Sequence, residues 1–319
     1  MPWQREVRNL AKFQRLGYSR PPMQVAGTPS LSQLVTARRP LAAVAKILLN
    51  WLVVLVVFLV VASHPTWPYL LAGFLVIGIE QHALGLWMHE GVHWLIAKNE
   101  SLNDLIVTVF LSGPLFVPLQ AFRRRHFVHH GYLGTSRDTK PVIFTRVDGR
   151  QFWYFLLCTC LGLQLFAIAK GYFAEHAPGQ PSVHGAPRRW LLDVMGVAVT
   201  QCFLLFLLSR IVPWTFYLWL WVLPWLTINR FIAGLRSVIE HQPFSSERHP
   251  FTRTLRPTLL DRVLFCRVGF QYHWAHHRYP NIPCFNLPLV DGEADEPPAS
   301  RRGYLETLFI LVRTSPQAG

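Results

Sequence analysis

The sequence predicts an all-α integral membrane protein with about four transmembrane helices and a helical cap on the cytosolic side. First, 51% of the 319 residues are hydrophobic and only 15% are charged, whereas a soluble globular domain carries about 25% charged residues. Second, the apolar residues are concentrated in four blocks of about 20 residues, the length of a helix that crosses a bilayer. Third, the basic residues are concentrated between alternate blocks. This composition excludes collagen-like, disordered and disulfide-stapled proteins.

The predicted elements divide the chain into three parts. Residues 1–40 form a basic cytosolic leader, residues 41–290 the membrane domain, and residues 291–319 a C-terminal tail with a short amphipathic helix. Within the membrane domain, the four predicted spans are 41–62, 69–88, 190–209 and 211–228. Short turns at 63–68 and 210–213 join the two members of each pair.

Two further apolar stretches are not predicted to cross the membrane. The stretch at 105–119 is interrupted by Gly113, Pro114 and Pro118, which indicates a short re-entrant or interfacial segment. The stretch at 151–169 is long enough to span. However, the sequence has three histidine-rich groups, at 89–93, 126–130 and 273–277. They can meet only on one side of the bilayer, so an even number of crossings must separate the second group from the third. Because two spans already lie between them, 151–169 is predicted to lie at the membrane interface.

The charge distribution predicts the orientation of the chain. The sequence has 31 Lys and Arg against 17 Asp and Glu, a net charge of +14. The turns at 63–68 and 210–213 hold a single Arg, and nearly all other cations lie in the leader, in 120–150 and in 236–302. Because cytosolic loops are enriched in Lys and Arg, these regions are predicted to be cytoplasmic, with the protein in the inner (plasma) membrane. Such a positive charge suggests contact with nucleic acid, anionic lipid headgroups or an acidic partner protein, and the apolar blocks favour lipid headgroups.

Histidines form the most specific pattern in the sequence. Eight of the 14 histidines fall into three groups, HEGVH, HFVHH and HWAHH. Residues three or four apart share one face of a helix, and imidazole is a common nitrogen ligand for Zn, Cu, Fe and Ni. The predicted metal ligands are His89, His93, His126, His129, His130, His273, His276 and His277.

The number of these histidines indicates two metal ions. A structural zinc takes four protein ligands and a catalytic zinc takes three, so eight or nine imidazoles are too many for one ion. Ligation by nitrogen alone, with open positions beside apolar helices, favours redox-active iron. His82 is a weaker ligand candidate. The isolated histidines are predicted to be surface or loop residues: His64, His176, His184 and His249.

Three segments resemble a known family. In order, HEGVHWLIAKNESLNDL, FRRRHFVHHGYLGTSRD and QYHWAHHRYPNIP resemble the histidine boxes of the membrane fatty acid desaturase superfamily, which also includes hydroxylases and ketolases. The resemblance covers roughly residues 40–290. It implies four spanning helices, a cytosolic di-iron domain, two iron ions bound by the box histidines, and a ninth iron ligand at His241 in the string RSVIEH.

The resemblance also implies an activity. It predicts an O2-dependent desaturase that introduces a double bond into a fatty acyl chain bound to a lipid or a carrier, or alternatively a lipid or carotenoid hydroxylase or ketolase. The sequence has neither the HPGG motif of a fused haem domain nor a Gly-rich dinucleotide fingerprint. The two electrons are therefore expected from an external donor, such as a ferredoxin with its reductase.

No catalytic residue is predicted beyond the metal ligands. Glu90 and Asp138 are candidates for orienting the ligating imidazoles, because carboxylates commonly accept the second ring N–H. Apolar tunnel walls are expected from Trp87, Trp94 and Trp225. The run 123–125 (RRR) is expected either to contact lipid phosphates, an acyl carrier or an acidic ferredoxin, or to form a solvated basic face.

The sequence is also compatible with two other classes of protein. HEGVH alone is the motif of zinc metalloproteases, with Glu90 as general base, and NLPLVDG (286–292) loosely resembles a ligand segment of intramembrane proteases. That segment lies in a polar tail, however, and this interpretation leaves six clustered histidines unexplained. The other class is a non-catalytic lipid-binding module, which would tolerate substitution of every box histidine.

Overall fold

Helices dominate the computed structural model, which describes residues 33, 37–135, 137–140, 149–163, 187–242, 251–291 and 302–313. No strand occurs among these residues, where an isolated antiparallel bridge joins Thr254 to Tyr272. In chain order, the helices are α1 (Pro40–Ser63), α2 (Trp67–Val92), α3 (Glu100–Val107), α4 (Leu119–Tyr132), α5 (Gly149–Cys160), α6 (Pro187–Ser209), α7 (Thr215–His241), α8 (Leu259–Leu264), α9 (His273–Arg278), α10 (Leu287–Val290) and α11 (Tyr304–Arg313).

Four of these helices, α1, α2, α6 and α7, are long and apolar enough to cross a membrane. The predicted all-α membrane fold is therefore confirmed. Helix α1 begins at Pro40, whose missing N–H is harmless in a first helical turn. Helices α1 and α2 pack closely because Gly73 has no side chain, and a Cβ there would lie 2.8 Å from the Cγ2 atom of Val61.

Helices α2 and α7 are longer than the bilayer core. Their 26 and 27 residues correspond to about 39–40 Å at 1.5 Å per residue, against about 30 Å of hydrocarbon. The sequence predicts an end at 228, where polar residues begin, but α7 continues to His241. It does so because Ile232, Leu235 and Ile239 recur every three or four residues and are buried.

The two apolar stretches that are not predicted to span, 105–119 and 151–169, form short helices in the part of the chain that the structure describes. In the first, α3 continues into a π-helical turn, Thr108–Ser112, and the combined 13 residues extend only about 20 Å. In the second, α5 packs against the final turns of α7 and against α11. Residues 164–169 lie outside the described part of the chain.

The remaining helices form a cap at the ends of α2 and α7. One apolar core runs from the membrane helices into this cap and includes Trp87, Trp225 and Phe270. A second core joins α5, α7 and α11 through Phe152 and Tyr304. Most of the predicted leader, the tail residues 292–301 and 314–319, and His176, His184 and His249 lie outside the described residues.

Candidate metal centre

Four segments of the fold bring nine histidines into one buried cluster. Helix α2 carries the first box at its end, α4 the second, the last residue of α7 contributes one histidine, and α9 the third box. None of the nine is more than 8% exposed. These are all the histidines that the sequence predicts as ligands: His89, His93, His126, His129, His130, His241, His273, His276 and His277.

The cluster divides into two groups. The ring nitrogens of five histidines lie within 4.8 Å of one another, namely those of His89, His93, His126, His130 and His276. The ring nitrogens of three other histidines, His129, His241 and His277, also lie within 4.8 Å of one another. His241 lies equally close to His273 and to the carboxylate of Glu240. The geometry therefore offers one group of five imidazoles and one of four.

Ring nitrogens converge closely within the first group. The Nε2 atom of His126 lies 2.8 Å from that of His93 and 2.9 Å from that of His130, which is in turn 3.2 Å from the Nε2 atom of His276. A single proton on the His126 Nε2 atom cannot serve both neighbours. Two nitrogens bound at a right angle to one metal, each about 2.1 Å away, lie about 3.0 Å apart. These separations therefore fit nitrogens that face a common ion.

The second group has one close contact between ring nitrogens and one imidazole ring without hydrogen bonds to the described part of the chain. The Nε2 atoms of His241 and His273 lie 2.9 Å apart. Both ring nitrogens of His277 are buried and have no hydrogen-bond partner among the described residues. Because a buried polar atom without a partner is costly, an ion bound here fits the donor set.

Burial keeps the imidazoles in the form that binds metal. It lowers the pKa of His93 to about 3 and holds the pKa values of His126, His129, His276 and His277 well below the usual range of histidine. The charge of Arg123 adds to the effect at His93, that of Lys140 at His126 and His129, and that of Arg236 at His276. Neutral imidazole, with a free lone pair, is the ligand form.

Asp138 orients a histidine of the second box. Its carboxylate oxygens lie 2.9 and 3.1 Å from the Nδ1 atom of His129. The carboxylate also accepts the backbone N–H groups of Gly134 and Lys140 at 3.2 and 2.9 Å. Because an ionised carboxylate only accepts hydrogen bonds, the ring proton lies on Nδ1 and leaves Nε2 as the ligand atom.

Glu90 makes a different contact from the one expected. Its Oε2 atom accepts the backbone N–H of Cys284 at 3.0 Å, while its Oε1 atom has no hydrogen-bond partner among the described residues. Glu90 thus connects the first box to the segment that follows the third box, through backbone and not through an imidazole ring.

Glu240 lies beside the second group of imidazoles, and the sequence pattern assigns it no role. Its Oε2 atom lies 3.5 Å from the Nδ1 atom of His273, and its Oε1 atom accepts from Arg236 Nε at 2.8 Å and from the Tyr304 hydroxyl at 3.0 Å. The adjacent His241 donates from Nδ1 to the carbonyl of Phe251 at 2.9 Å. The available sequence signal was the position of Glu240 directly before His241, together with the spacing of four residues from Arg236.

Arg123 is buried, so both the phosphate or partner contact and the solvated basic face expected for the run 123–125 are wrong for this residue. Its side chain donates to the backbone carbonyls of Val92 and Gly91 at 2.9 and 3.1 Å, pairs with Asp104 at 2.6 Å, and lies 4.1 Å from the ring centroid of Trp94. Arg123 therefore fixes the end of α2, directly beside the first histidine box.

The other candidates lie around the cluster. Trp87 and Trp225 are buried against Phe285 and Phe116, with ring centroids 6.0 and 4.7 Å apart respectively. His82 is buried but belongs to neither group of converging nitrogens.

Four apolar helices, two of which end at a buried histidine cluster, define a membrane protein equipped to hold metal in its cap. Comparison with protein families makes the assignment specific. The model of the fatty acid desaturase family matches residues 65–307. The chain belongs to this family.

Individual relatives share about a quarter of the aligned residues with this chain. A dihydrorhizobitoxine desaturase of Bradyrhizobium elkanii is 25% identical over 69% of this chain and 66% of its own length. A sphingolipid delta(4)-desaturase/C4-monooxygenase of Homo sapiens is 27% identical over 69% of this chain and 64% of its own length. A beta-carotene 4-ketolase of Protosiphon botryoides is 24% identical over 72% and 53%. The chain thus spans less than two thirds of the length of these relatives.

Proposed function

We propose that this protein is an O2-dependent desaturase that introduces a double bond into a fatty acyl chain at two irons held by nine histidines. The observation that carries the proposal is the division of the buried cluster into five and four imidazoles. The proposed ligands are His89, His93, His126, His130 and His276 for one iron, and His129, His241, His273 and His277 for the other.

The chemistry of the donor set supports this assignment. Neutral nitrogen donors suit iron better than they suit ions that prefer oxygen. Iron bound there would allow O2 to oxidise an aliphatic C–H bond. Protein side chains alone have no group suited to this reaction. The role of the chain is to hold the imidazoles in place, which Asp138 does at His129 through Nδ1.

Apolar side chains next to the histidines suit an acyl substrate. The ring of Phe270 is fully buried and lies edge-on to His89, with centroids 4.6 Å apart. Phe127 lies 5.2 Å from His93 in the same manner. Such walls exclude water and orient a methylene chain. The buried Trp87 and Trp225 continue the apolar lining into the membrane helices.

The proposed orientation places the histidine cluster on the cytoplasmic side of the inner membrane. It rests on the concentration of Lys and Arg in the leader, in 120–150 and in 236–302, which are predicted to lie on the same side of the membrane as the histidine boxes. A soluble electron donor such as a ferredoxin, with its reductase, would then reach the cap from the cytosol. The proposed substrate is a membrane lipid or a carrier-bound fatty acid.

Expression in a host of known lipid composition tests the function. New lipids that lack two hydrogens, together with about two irons per purified chain, are expected. Lipids that gain an oxygen instead would support the alternative, a hydroxylase or ketolase, which the names of the human and Protosiphon relatives favour. One zinc and no iron would contradict both and revive the protease hypothesis.

A further inference from the structure

A mixed polar and apolar groove of about 370 Å³ lies between α6 and the segments that flank the first two histidine boxes. Its floor and walls include Trp94, Ser112 and Gln120, and Leu192 and Gly196 of α6. Leu192 is 61% exposed and lies in a helix that is apolar enough to span the membrane. The groove therefore adjoins the lipid-facing surface of the protein.

The groove is one aromatic layer from the histidine cluster. Trp94 follows His93 directly, and its ring stacks on Phe127 at 5.9 Å. The Phe127 ring lies 5.2 Å from the ring of His93. A ligand whose polar end lies in the groove could therefore place its chain near the first group of imidazoles.

One buried hydroxyl in the groove lacks a partner. Ser112 is 1% exposed, and its Oγ atom has no hydrogen bond to any described residue. A buried hydroxyl without a partner is unfavourable unless a ligand supplies one. Because Ser112 lines the groove, a polar group bound there would satisfy it.

The charge of the groove argues against an anionic ligand. Its charged lining is Glu100, Asp104, Asp193 and Arg124. Because Asp104 is paired with Arg123, two carboxylates remain against one guanidinium, in a protein whose overall charge is +14. A phosphate group usually binds at the N-terminus of a helix, which in this groove is the N-terminus of α4. Here Asp193 already accepts its N–H groups, from Gln120 at 2.9 Å and Ala121 at 3.0 Å.

We infer that this groove binds the headgroup of a neutral membrane lipid that carries hydroxyl or amide N–H donors, and that this lipid is the substrate class. The inference rests on the proposed desaturase function. The Asp193 carboxylate has acceptor sites beyond those that the N-terminus of α4 uses, so it accepts hydrogen bonds from such donors, and the Ser112 hydroxyl gains a partner. A CoA thioester or a phosphate headgroup brings negative charge to a groove that is already rich in carboxylates.

Photocrosslinking tests this inference on the full-length, iron-loaded protein in phosphatidylcholine nanodiscs. The probe is a ceramide with a diazirine near its polar end. Competitors with the same acyl chain are ceramide, phosphatidic acid and acyl-CoA. We expect crosslinks in the groove peptides 100–124 or 191–197, and competition by ceramide at concentrations about tenfold lower than for either anionic competitor. Crosslinks elsewhere, or competition by acyl-CoA at equal or lower concentration, would overturn the inference.

A serine variant separates ligand binding from folding. Ser112→Ala is expected to weaken ceramide competition by about three- to tenfold, the effect of one lost hydrogen bond. It should leave the melting temperature unchanged or raised, because no intramolecular bond is lost. Ser63→Ala, at the far end of α1, is the matched control and should leave competition unchanged.

The result also distinguishes this inference from the proposed function. If Ser112→Ala does not alter ceramide competition, or if the purified enzyme desaturates acyl-CoA in preference to ceramide, the headgroup inference fails and the desaturase assignment stands. If no lipid is desaturated and no iron is bound, the proposed function itself fails.

Discussion

Arg123 and Asp104 form an ion pair at 2.6 Å that is anchored to the end of α2. The same guanidinium donates to the carbonyls of Gly91 and Val92 in the last turn of α2, where carbonyls lack partners within the helix. The Gly91 carbonyl also accepts the backbone N–H of Trp94 at 3.0 Å. The second histidine box begins at His126, three residues after Arg123, so this side chain connects the first two boxes mechanically.

We predict that Arg123→Gln destabilises the protein by about 2–4 kcal/mol, because it removes one partner of a largely buried ion pair and the side-chain donor to the Val92 carbonyl. Thermal unfolding of the purified protein in detergent measures the change. Iron content should fall with stability. Arg210→Gln, in the exposed turn before α7, is the control and should behave as wild type. An Arg123→Gln protein with an unchanged melting temperature would contradict the anchoring role.

The Asp138 contact predicts a defect specific to metal binding. Asp138→Asn keeps the size of the side chain but removes the negative charge that holds the Nδ1 proton of His129. Loss of such an outer partner typically lowers metal affinity or activity by about 10- to 100-fold. Iron titration of the purified protein with a competing chelator measures this change.

A surface carboxylate provides the comparison for Asp138. Glu306 is 61% exposed and lies 4.0 Å from Arg302, so Glu306→Gln should bind iron as the wild type does. Equal iron affinity in the Asp138→Asn and Glu306→Gln proteins would show that Asp138 has no influence on the metal.

The sequence predicts local features of this protein well and long-range partners poorly. Four apolar blocks and the histidine spacings are local patterns, and all eight box histidines do lie in one cluster. The burial of Arg123 was not predictable, because its carbonyl partners lie about 30 residues earlier in the chain. The contact of Glu90 with Cys284 spans 194 residues, and nothing near either residue indicates the other.

Tyr304 is predicted to act on the second group of imidazoles through Glu240. The tyrosine is fully buried, stacks on Phe265 with ring centroids 5.1 Å apart, and donates its hydroxyl to Glu240. Tyr304→Phe keeps the ring and removes this donor, so Glu240 is held less firmly beside His273. We expect weaker binding of one iron, by about five- to tenfold. This is less than the full effect of one hydrogen bond to a charged group, about 1.5–3 kcal/mol, because the tyrosine acts through Glu240.

The test of Tyr304 compares iron occupancy with stability. A chelator titration should show one of two irons leaving earlier, whereas the melting temperature should change little because the aromatic packing remains. The double variant Tyr304→Phe with Glu240→Gln should be no worse than Glu240→Gln alone, since the tyrosine acts through the carboxylate. Additive losses would indicate an independent role for Tyr304.

The division into two groups predicts which histidine affects which iron. His276→Ala removes a ligand from the group of five, and His129→Ala removes one from the group of four. Each variant is expected to abolish desaturation while retaining about one iron per chain, because the other group keeps its own imidazoles. Elemental analysis and Mössbauer spectroscopy of the purified proteins count the irons and tell the two remaining environments apart.

His64→Ala is the control for these variants, because His64 is exposed at the far end of α1 from the cluster. It should retain both irons and full activity. If His129→Ala and His276→Ala lose the same iron, the nine histidines form one mixed site and the proposed division is wrong. If either variant remains active, that histidine is not a ligand. A proteolytic activity that survives both substitutions would instead favour the zinc protease class, in which His89, Glu90 and His93 carry the motif.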